Sequence, residues 1–258
     1  MVDLLPEFPV FLLIFVRVTS FFIMMPIFSY RTIPAPFKIG LGFFLAWIMF
    51  YTIDAPVLEI NGAYFLLIMK EALVGILIGF IAYLILSAIQ IAGGFIDFQM
   101  GFAIANVIDP QTGAQSPITG QYFYIVSLLF LLSVNGHHLL IDGIYYSYQF
   151  VPIDQAWIPF GKESLVEFVL KAFSTMFMIA LQMALPIVGS IFLVDVALGI
   201  VARTVPQLNV FVVGLPLKIG VSFIVIVAVM TVMMGVVSQL FEYTLITMRG
   251  LMELIGGS

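Results

Sequence analysis

The sequence contains no cysteine, and its 258 residues include only 9 basic and 14 acidic side chains. The absence of cysteine excludes disulfide frameworks, thiol chemistry and cysteine-ligated metal sites. Charged residues make up 9% of the chain, whereas soluble domains usually carry about 25%. Because these charges are scattered singly, no basic field exists that would attract nucleic acid or anionic lipid headgroups.

Apolar side chains are what the sequence has in excess. Hydrophobic residues make up 63% of the chain, including 26 phenylalanines and 14 methionines. This composition predicts an integral membrane protein that contacts lipid. The first segment carries Asp3 and Glu7 instead of a basic region and lacks an early small-residue cleavage site, so we interpret it as retained and not as a signal peptide.

Apolar runs predict six helices, separated by clusters of Pro, Gly, Asn and Asp that signal turns. The runs cover residues 8–28, 39–53, 63–92, 121–134, 164–202 and 213–248. The Tyr-rich segment 139–150 is either a further short helix or an interfacial segment. No internal repeat or low-complexity linker is present. We therefore predict an all-α membrane protein.

Three of these runs are longer than a membrane requires. A hydrocarbon core of about 30 Å needs only about 20 helical residues. The runs 63–92, 164–202 and 213–248 would each extend to roughly 45 Å or more. Pro186 is a candidate kink within one of them. The last two runs, joined around ARTVPQLNVFVVGLP, predict a tall antiparallel helical hairpin.

A polar segment interrupts the apolar helices at GFIDFQMGFAIANVIDPQTGAQSPITGQ, residues 94–121. Irregular backbone cannot face lipid, so such a segment must be solvated, buried in protein or exposed to a water-filled cavity. A solvated surface loop is the ordinary alternative. Residues 98–108 are mostly apolar and aromatic, however, and would form an exposed patch in a free loop. This favours a protein interior.

Ionisable residues within the apolar helices are costly and usually paired or functional. They are Arg17, Lys70, Glu71, Asp195 and Glu242. Pairing between helices or with partner subunits is favoured over a proton pathway, because no repeated acidic relay appears and the adjacent Lys70 and Glu71 are not expected to face each other on a helix. Their individual roles are left unassigned.

Two adjacent histidines, His137 and His138, follow the dipeptide Asn135-Gly136. They could suggest a metal site or a histidine base. Adjacent histidines at a helix start rarely converge on one ion, and the chain has no other histidine, so a turn and helix cap is the favoured interpretation. No nucleophile elbow or Ser/His/Asp arrangement is present. We predict no enzyme activity, no metal and no cofactor.

Three separated motifs, in the same order, resemble the FliR/SctT family. They are FIDFQMGFAIANVIDPQTGAQSPITG, LLFLLSVNGHHLLIDG and ALGIVARTVPQLNVFVVGLPLKIG, and the early RTIPAPFKIGLGF also fits. Members of this family are the R-type subunits of the flagellar export gate and of virulence type III secretion. The resemblance covers essentially the whole chain.

The resemblance implies an assembly and a place in the cell. One R-type chain would join several P-type and Q-type subunits (FliP- and FliQ-like) in a closed helical staircase around a protein-conducting pore. B-type and A-type export subunits (FlhB- and FlhA-like) and exported unfolded proteins are further implied partners. The location would be the bacterial inner membrane at the flagellar basal body.

The resemblance also divides the chain. Residues 1–160 would be a P-like part and residues 161–258 a Q-like helical hairpin. Within the P-like part, residues 101–117 would plug the closed pore, with glycines that turn the backbone, prolines that restrict it and apolar side chains that fill the aperture. The plug residues implied are Gly101, Phe102, Ile104, Asn106, Val107, Ile108, Asp109, Pro110, Gly113 and Pro117.

Subunit contacts are predicted at two places, the start of the polar segment and the turn of the hairpin, where freed carbonyls and amides need partners. The residues are Asp97, Gln99, Arg203, Pro206, Gln207 and Asn209. An isolated chain with an unpaired Asp97 or Asp109 would be expected to behave poorly. The alternatives are a stand-alone secondary transporter or channel for small solutes and a scaffold with no role in a pore.

Overall fold

The structure, a computed structural model, describes residues 8–28, 33–53, 56, 58, 60–102, 117–155, 163–205, 207 and 209–256. Within these ranges it contains eight helices and no strand. They are α1 (Phe8–Met24), α2 (Ala35–Phe50), α3 (Gly62–Leu86), α4 (Ala88–Met100), α5 (Ile118–Ser133), α6 (Gly136–Phe150), α7 (Glu163–Thr204) and α8 (Val210–Gly256). The predicted all-α fold is confirmed.

Several helix boundaries differ from the predicted ones. Helix α2 begins before residue 39, because Pro36 falls in its first turn, where a missing N–H costs nothing. The third predicted run is two helices, α3 and α4, separated at Ser87. Helix α4 continues to Met100, so Asp97 and Gln99 are helical residues. The Tyr-rich segment forms the helix α6.

The unusual length of the late helices is confirmed. Helices α7 and α8 have 42 and 47 residues, which at 1.5 Å per residue corresponds to roughly 63 and 70 Å. Pro186 and Pro216 lie inside these helices without ending them. By length and composition, the described residues hold three helical segments able to cross a membrane: α3 with α4 (62–100), 165–204 of α7 and 210–256 of α8. Helices α5 and α6 satisfy the same criteria when they are counted together as one span.

The chain forms two compact units. Unit 1 comprises residues 1–85, 134–173 and 242–258, and unit 2 comprises residues 86–133 and 174–241. Helices α3, α7 and α8 each contribute residues to both units. This division does not follow the predicted boundary at residue 160, and the P-like and Q-like division stays a prediction.

In unit 1, α1 packs against α2 and α3. The ring of Phe11 makes edge contacts with Phe43 and Trp47 of α2 at centroid distances of 5.4 and 5.7 Å. Against α3 the approach is closer, since a Cβ at Gly75 or Gly79 would collide with atoms of α1. A Gly-x-x-x-Gly spacing of this kind permits close backbone contact between apolar helices.

In unit 2, α4 crosses α5 and the hairpin helices pack side by side. A Cβ at Gly93 would collide with the backbone of Gly120, so this crossing requires glycine. Asp195 of α7 forms an ion pair with Lys218 of α8. These two residues lie at nearly equal distances in sequence from the turn at 205–209, as antiparallel packing requires. The predicted antiparallel arrangement is therefore present in this part of the hairpin.

Candidate functional site

Unit 1 contains a fully buried ion pair between α1 and α3. Arg17 and Glu71 each have a solvent exposure of 0%. The guanidinium holds the carboxylate through two parallel contacts: Nε donates to Oε2, and Nη2 donates to Oε1 at 2.8 Å. Paired contacts of this kind are the strongest form of Arg–carboxylate interaction. Neither residue could be buried alone without a large desolvation cost.

Lys70 is a second cation in the same cluster. Its ammonium lies 2.5 Å from Oε1 of Glu71 and donates to the backbone carbonyls of Pro152 at 2.7 Å and Ile153 at 3.2 Å. The expectation that Lys70 and Glu71 do not meet was wrong. Both side chains are long enough to converge from neighbouring positions on α3. Because each is at most 3% exposed, neither can point into solvent instead.

The carboxyl end of α6 closes the cluster from the other side. Arg17 Nη2 also donates to the carbonyl of Val151 at 2.8 Å, and Nη1 donates to the hydroxyl of Ser147 at 3.0 Å. The ring of Tyr148 lies under the guanidinium, 4.0 Å from Cζ to the ring centroid. All of these partners belong to unit 1. The cluster therefore supports structural pairing between helices over a proton pathway.

In unit 2, α4 ends at the first predicted plug residue. Gly101 has a φ of 91°, a left-handed conformation, and its N–H donates to the carbonyls of Asp97 at 3.1 Å and Phe98 at 3.3 Å. This is a glycine cap that terminates a helix. Phe102 and Pro117 are half-buried. The other predicted plug residues lie outside the described residues: Ile104, Asn106, Val107, Ile108, Asp109, Pro110 and Gly113.

The carboxylate of Asp97 joins α4 to the start of α5. It is buried, and both of its oxygens lie 3.3 Å from the backbone N of Thr119, which donates to them. The Thr119 hydroxyl donates to the carbonyl of Gly93 at 3.4 Å. The expectation that Asp97 depends on another chain for its hydrogen bonds is corrected, because α5 supplies the donor. Its assignment to a subunit interface stays a prediction.

Three polar side chains form a network beside Gly101. Gln99 Nε2 donates to Oδ2 of Asp195 at 2.9 Å, and the other oxygen of Asp195 pairs with Lys218. The side chains of Asp195 and Lys218 are 34% and 24% exposed, so the chain itself covers this network only in part. It borders an open cavity of about 390 Å³. The apolar lining of that cavity includes Met100, Leu198, Phe211 and Leu215.

The hairpin turn places its predicted contact residues differently. Arg203 is exposed in the last turn of α7, where its positive charge interacts favourably with the negative end of the helix dipole. Gln207 is exposed. Asn209 caps α8, since its side-chain oxygen accepts from the N–H groups of Phe211 at 3.2 Å and Val212 at 3.3 Å. Pro206 lies outside the described residues.

The two histidines lie at a turn, as predicted. Asn135 has a φ of 57°, and its carbonyl accepts from the N–H of His138 at 3.1 Å as α6 begins. The two imidazole centroids are 4.1 Å apart. Within the described ranges, no group of three or more potential ligands among His, Cys, Asp and Glu comes together. Glu242 is exposed on α8.

Residues 8–244 match the family described as "Bacterial export proteins, family 1". The chain is 60% identical to the flagellar biosynthetic protein FliR of Bacillus subtilis over 252 residues, 97% of each chain. It is 29% identical to FliR of Escherichia coli, over 88% of this chain and 86% of that one. It is also 30% identical to the Yop proteins translocation protein T of Yersinia pestis, over 72% and 71%.

Proposed function

Since the chain belongs to the bacterial export proteins, family 1, we propose that it assembles with P-type and Q-type subunits into the closed protein-conducting pore of a flagellar export gate. It is a membrane subunit of a type III protein export apparatus, in keeping with its flagellar and Yop-translocation relatives. The pore would carry unfolded flagellar proteins across the inner membrane at the basal body. B-type and A-type export subunits would be neighbours in the apparatus.

The observation that carries this proposal is the uncovered length of the hairpin helices. Only 22% of the most apolar stretch of α7 and 17% of that of α8 is buried within the chain, against 56% for the span 62–100. A hydrocarbon core of about 30 Å covers less than half of a helix of roughly 70 Å. Exposed large apolar side chains extend from Val166 to Val201 on α7 and from Phe211 to Ile246 on α8, which is longer than lipid can cover, so other protein chains are the natural partners.

The proposed plug is supported by how its two ends are held. Gly101 caps α4, and Pro117 precedes α5. The helices that carry these ends cross at Gly93 and Gly120 with no space for a side chain. Residues 101–117 thus connect two helices whose crossing is tightly fixed. The apolar side chains of Phe102, Ile104, Val107 and Ile108 in this segment suit a narrow aperture.

Deletion of residues 104–112 tests the plug. The chain would be coexpressed with its P-type and Q-type partners, and the purified complex reconstituted into planar bilayers to measure ion conductance. We expect the deletion complex to leak. A matched variant, in which the same residues are replaced by a Gly/Ser linker of equal length, should also leak if side chains form the seal. Closed-level conductance from an intact deletion complex would refute the plug.

The size of the purified particle tests the assembly. Solubilised in mild detergent after coexpression, the chain is expected to elute in one stable complex with P-type and Q-type subunits. A stand-alone transporter would instead elute alone and transport solutes without them. A scaffold would copurify with the partners, but its deletion complex would not leak.

The proposed subunit contacts are Asp97, Gln99, Arg203, Pro206, Gln207 and Asn209. Among these, Arg203, Gln207 and Asn209 have the exposure that an interface requires. Replacement of Arg203 by Glu would place a negative charge at the carboxyl end of α7, where the helix dipole opposes it, and in the proposed contact. Asn209 and Asp97 also serve intrachain hydrogen bonds, so substitutions there would report on folding as well as on assembly.

A further inference from the structure

The charge balance of the buried cluster in unit 1 is uneven. Two cations, Arg17 and Lys70, share the single carboxylate of Glu71 at its centre. With Arg17 and Glu71 neutralising each other, Lys70 brings a further positive charge to a site where it is 3% exposed, and the other carboxylate that interacts with it, Asp154, is exposed. A buried charge needs compensation from elsewhere in the protein.

The carboxyl end of α6 supplies that compensation. The last carbonyls of a helix have no partner within the helix and carry the negative end of its dipole. Val151, Pro152 and Ile153 follow the last residue of α6, and their three carbonyls accept hydrogen bonds from Arg17 and Lys70 at 2.7–3.2 Å. Val151 and Ile153 are themselves buried. The cations therefore hold the C-cap of α6, Val151, and the two residues that follow it.

We propose that Arg17, Lys70 and Glu71 form a socket for the carboxyl end of α6, in which Lys70 is the positioning residue for Pro152 and Ile153. Glu71 joins the two cations, and the cations hold residues 151–153. The socket thereby fixes residues 151–153 against α1 and α3. Its relevance to export rests on the proposed function, whereas its existence does not.

The roles within the socket are separable. Replacing Lys70 with Met keeps the length of the side chain and leaves the Arg17–Glu71 pair neutral. Helices α1 and α3 should stay together, held by that pair and by the close contacts at Gly75 and Gly79. The substitution would remove the hydrogen bonds to Pro152 and Ile153 together with the ion pair between Lys70 and Glu71. Lys70→Arg keeps a cationic donor and should largely restore them.

Cysteine accessibility provides the test, because the native chain has no cysteine. Ile153→Cys reports on the socket. Met49→Cys, also buried in unit 1 but at the end of α2, serves as the matched control. Both single-cysteine chains would be coexpressed with their partners and labelled in native membranes with a membrane-permeant maleimide. Labelling rates would be normalised to those of the same chain unfolded in detergent.

The expected result is a local change. Lys70→Met should raise the labelling rate at position 153 by at least about tenfold, because the loss of each of its two charge-assisted hydrogen bonds corresponds to about that ratio. The labelling rate at position 49 should stay within about twofold of its value in the chain with Lys70, since only the segment at residues 151–153 opens. Lys70→Arg should return position 153 to near its original rate.

Two outcomes would overturn the socket. One is an unchanged rate at position 153 in Lys70→Met, and the other is an equal rise at positions 49 and 153, which would indicate general loosening of the unit. Neither outcome depends on conductance. A failed socket and a failed plug are therefore told apart, because the plug is judged by the leak of the deletion complex alone.

Discussion

Two carboxylates in this chain hold cations in different surroundings. Glu71 in unit 1 lies between Arg17 and Lys70 at 0% exposure. Asp195 in unit 2 lies between Gln99 and Lys218 with its side chain 34% exposed, beside an open cavity. Both carboxylates pair with a lysine, but only Asp195 is left open enough by its own chain for another group to replace a lost partner. Burial, more than contact distance, therefore determines how much each pair matters for stability.

The largest effect is expected from Glu71→Gln. An amide keeps the shape of the side chain but leaves Arg17 and Lys70 buried without a counter-charge. Breaking a buried pair in this way costs about 3–5 kcal/mol. The thermal midpoint and the yield of the purified complex should both fall sharply. Glu242→Gln is the matched control at an exposed position of α8. An equal fall in the thermal midpoint of both variants would contradict the claim that burial determines the importance of a charged residue.

An intermediate effect is expected from Gly93→Ala in unit 2. The added Cβ would collide with the backbone of Gly120 and force α4 and α5 apart. Overpacking of this kind costs about 1–3 kcal/mol. The neighbouring Gly94→Ala is a close control, because its Cβ would meet only Pro117 Cγ at 3.7 Å. The thermal midpoint of the complex should fall for Gly93→Ala alone, and a similar decrease in both variants would argue against a specific crossing.

The smallest effect is expected from Asp195→Asn. The substitution removes the charge that Lys218 pairs with, but both side chains are only partly covered by the chain. Exposed ion pairs contribute only about 0.2–1 kcal/mol. The thermal midpoint should shift by little, and the shift should shrink further at high salt because surface charges are screened. A loss of stability as large as that of Glu71→Gln would mean that the assembled complex buries this network.

Much of the helical architecture could be predicted from the sequence. The apolar runs predicted an all-α chain, and the excess length of the last two runs predicted a hairpin longer than a bilayer. Boundaries were less accurate where the composition is ambiguous. The polar side chains of Asp97 and Gln99 suggested irregular backbone, yet α4 continues through both until the glycine at position 101 ends it.

The partners of the buried charges were not predictable in the same way. Arg17, Lys70 and Glu71 stood out as ionisable residues in apolar helices, but nothing in the sequence pointed to residues 151–153. Those residues contribute only backbone carbonyls, which every residue type possesses. Likewise, Thr119 donates a hydrogen bond to Asp97 from its backbone N–H. Contacts made by backbone atoms cannot be inferred from residue type.

The sequence by itself determined that this chain is a helical membrane protein, because hydrophobicity and helical periodicity are properties of neighbouring residues. Its motifs also identified the export family. Only the tertiary structure decided which carbonyls receive the buried cations and which carboxylate is sealed from water. Those outcomes depend on how distant segments pack, since the cost of a charge is set by what surrounds it and not by its neighbours along the chain.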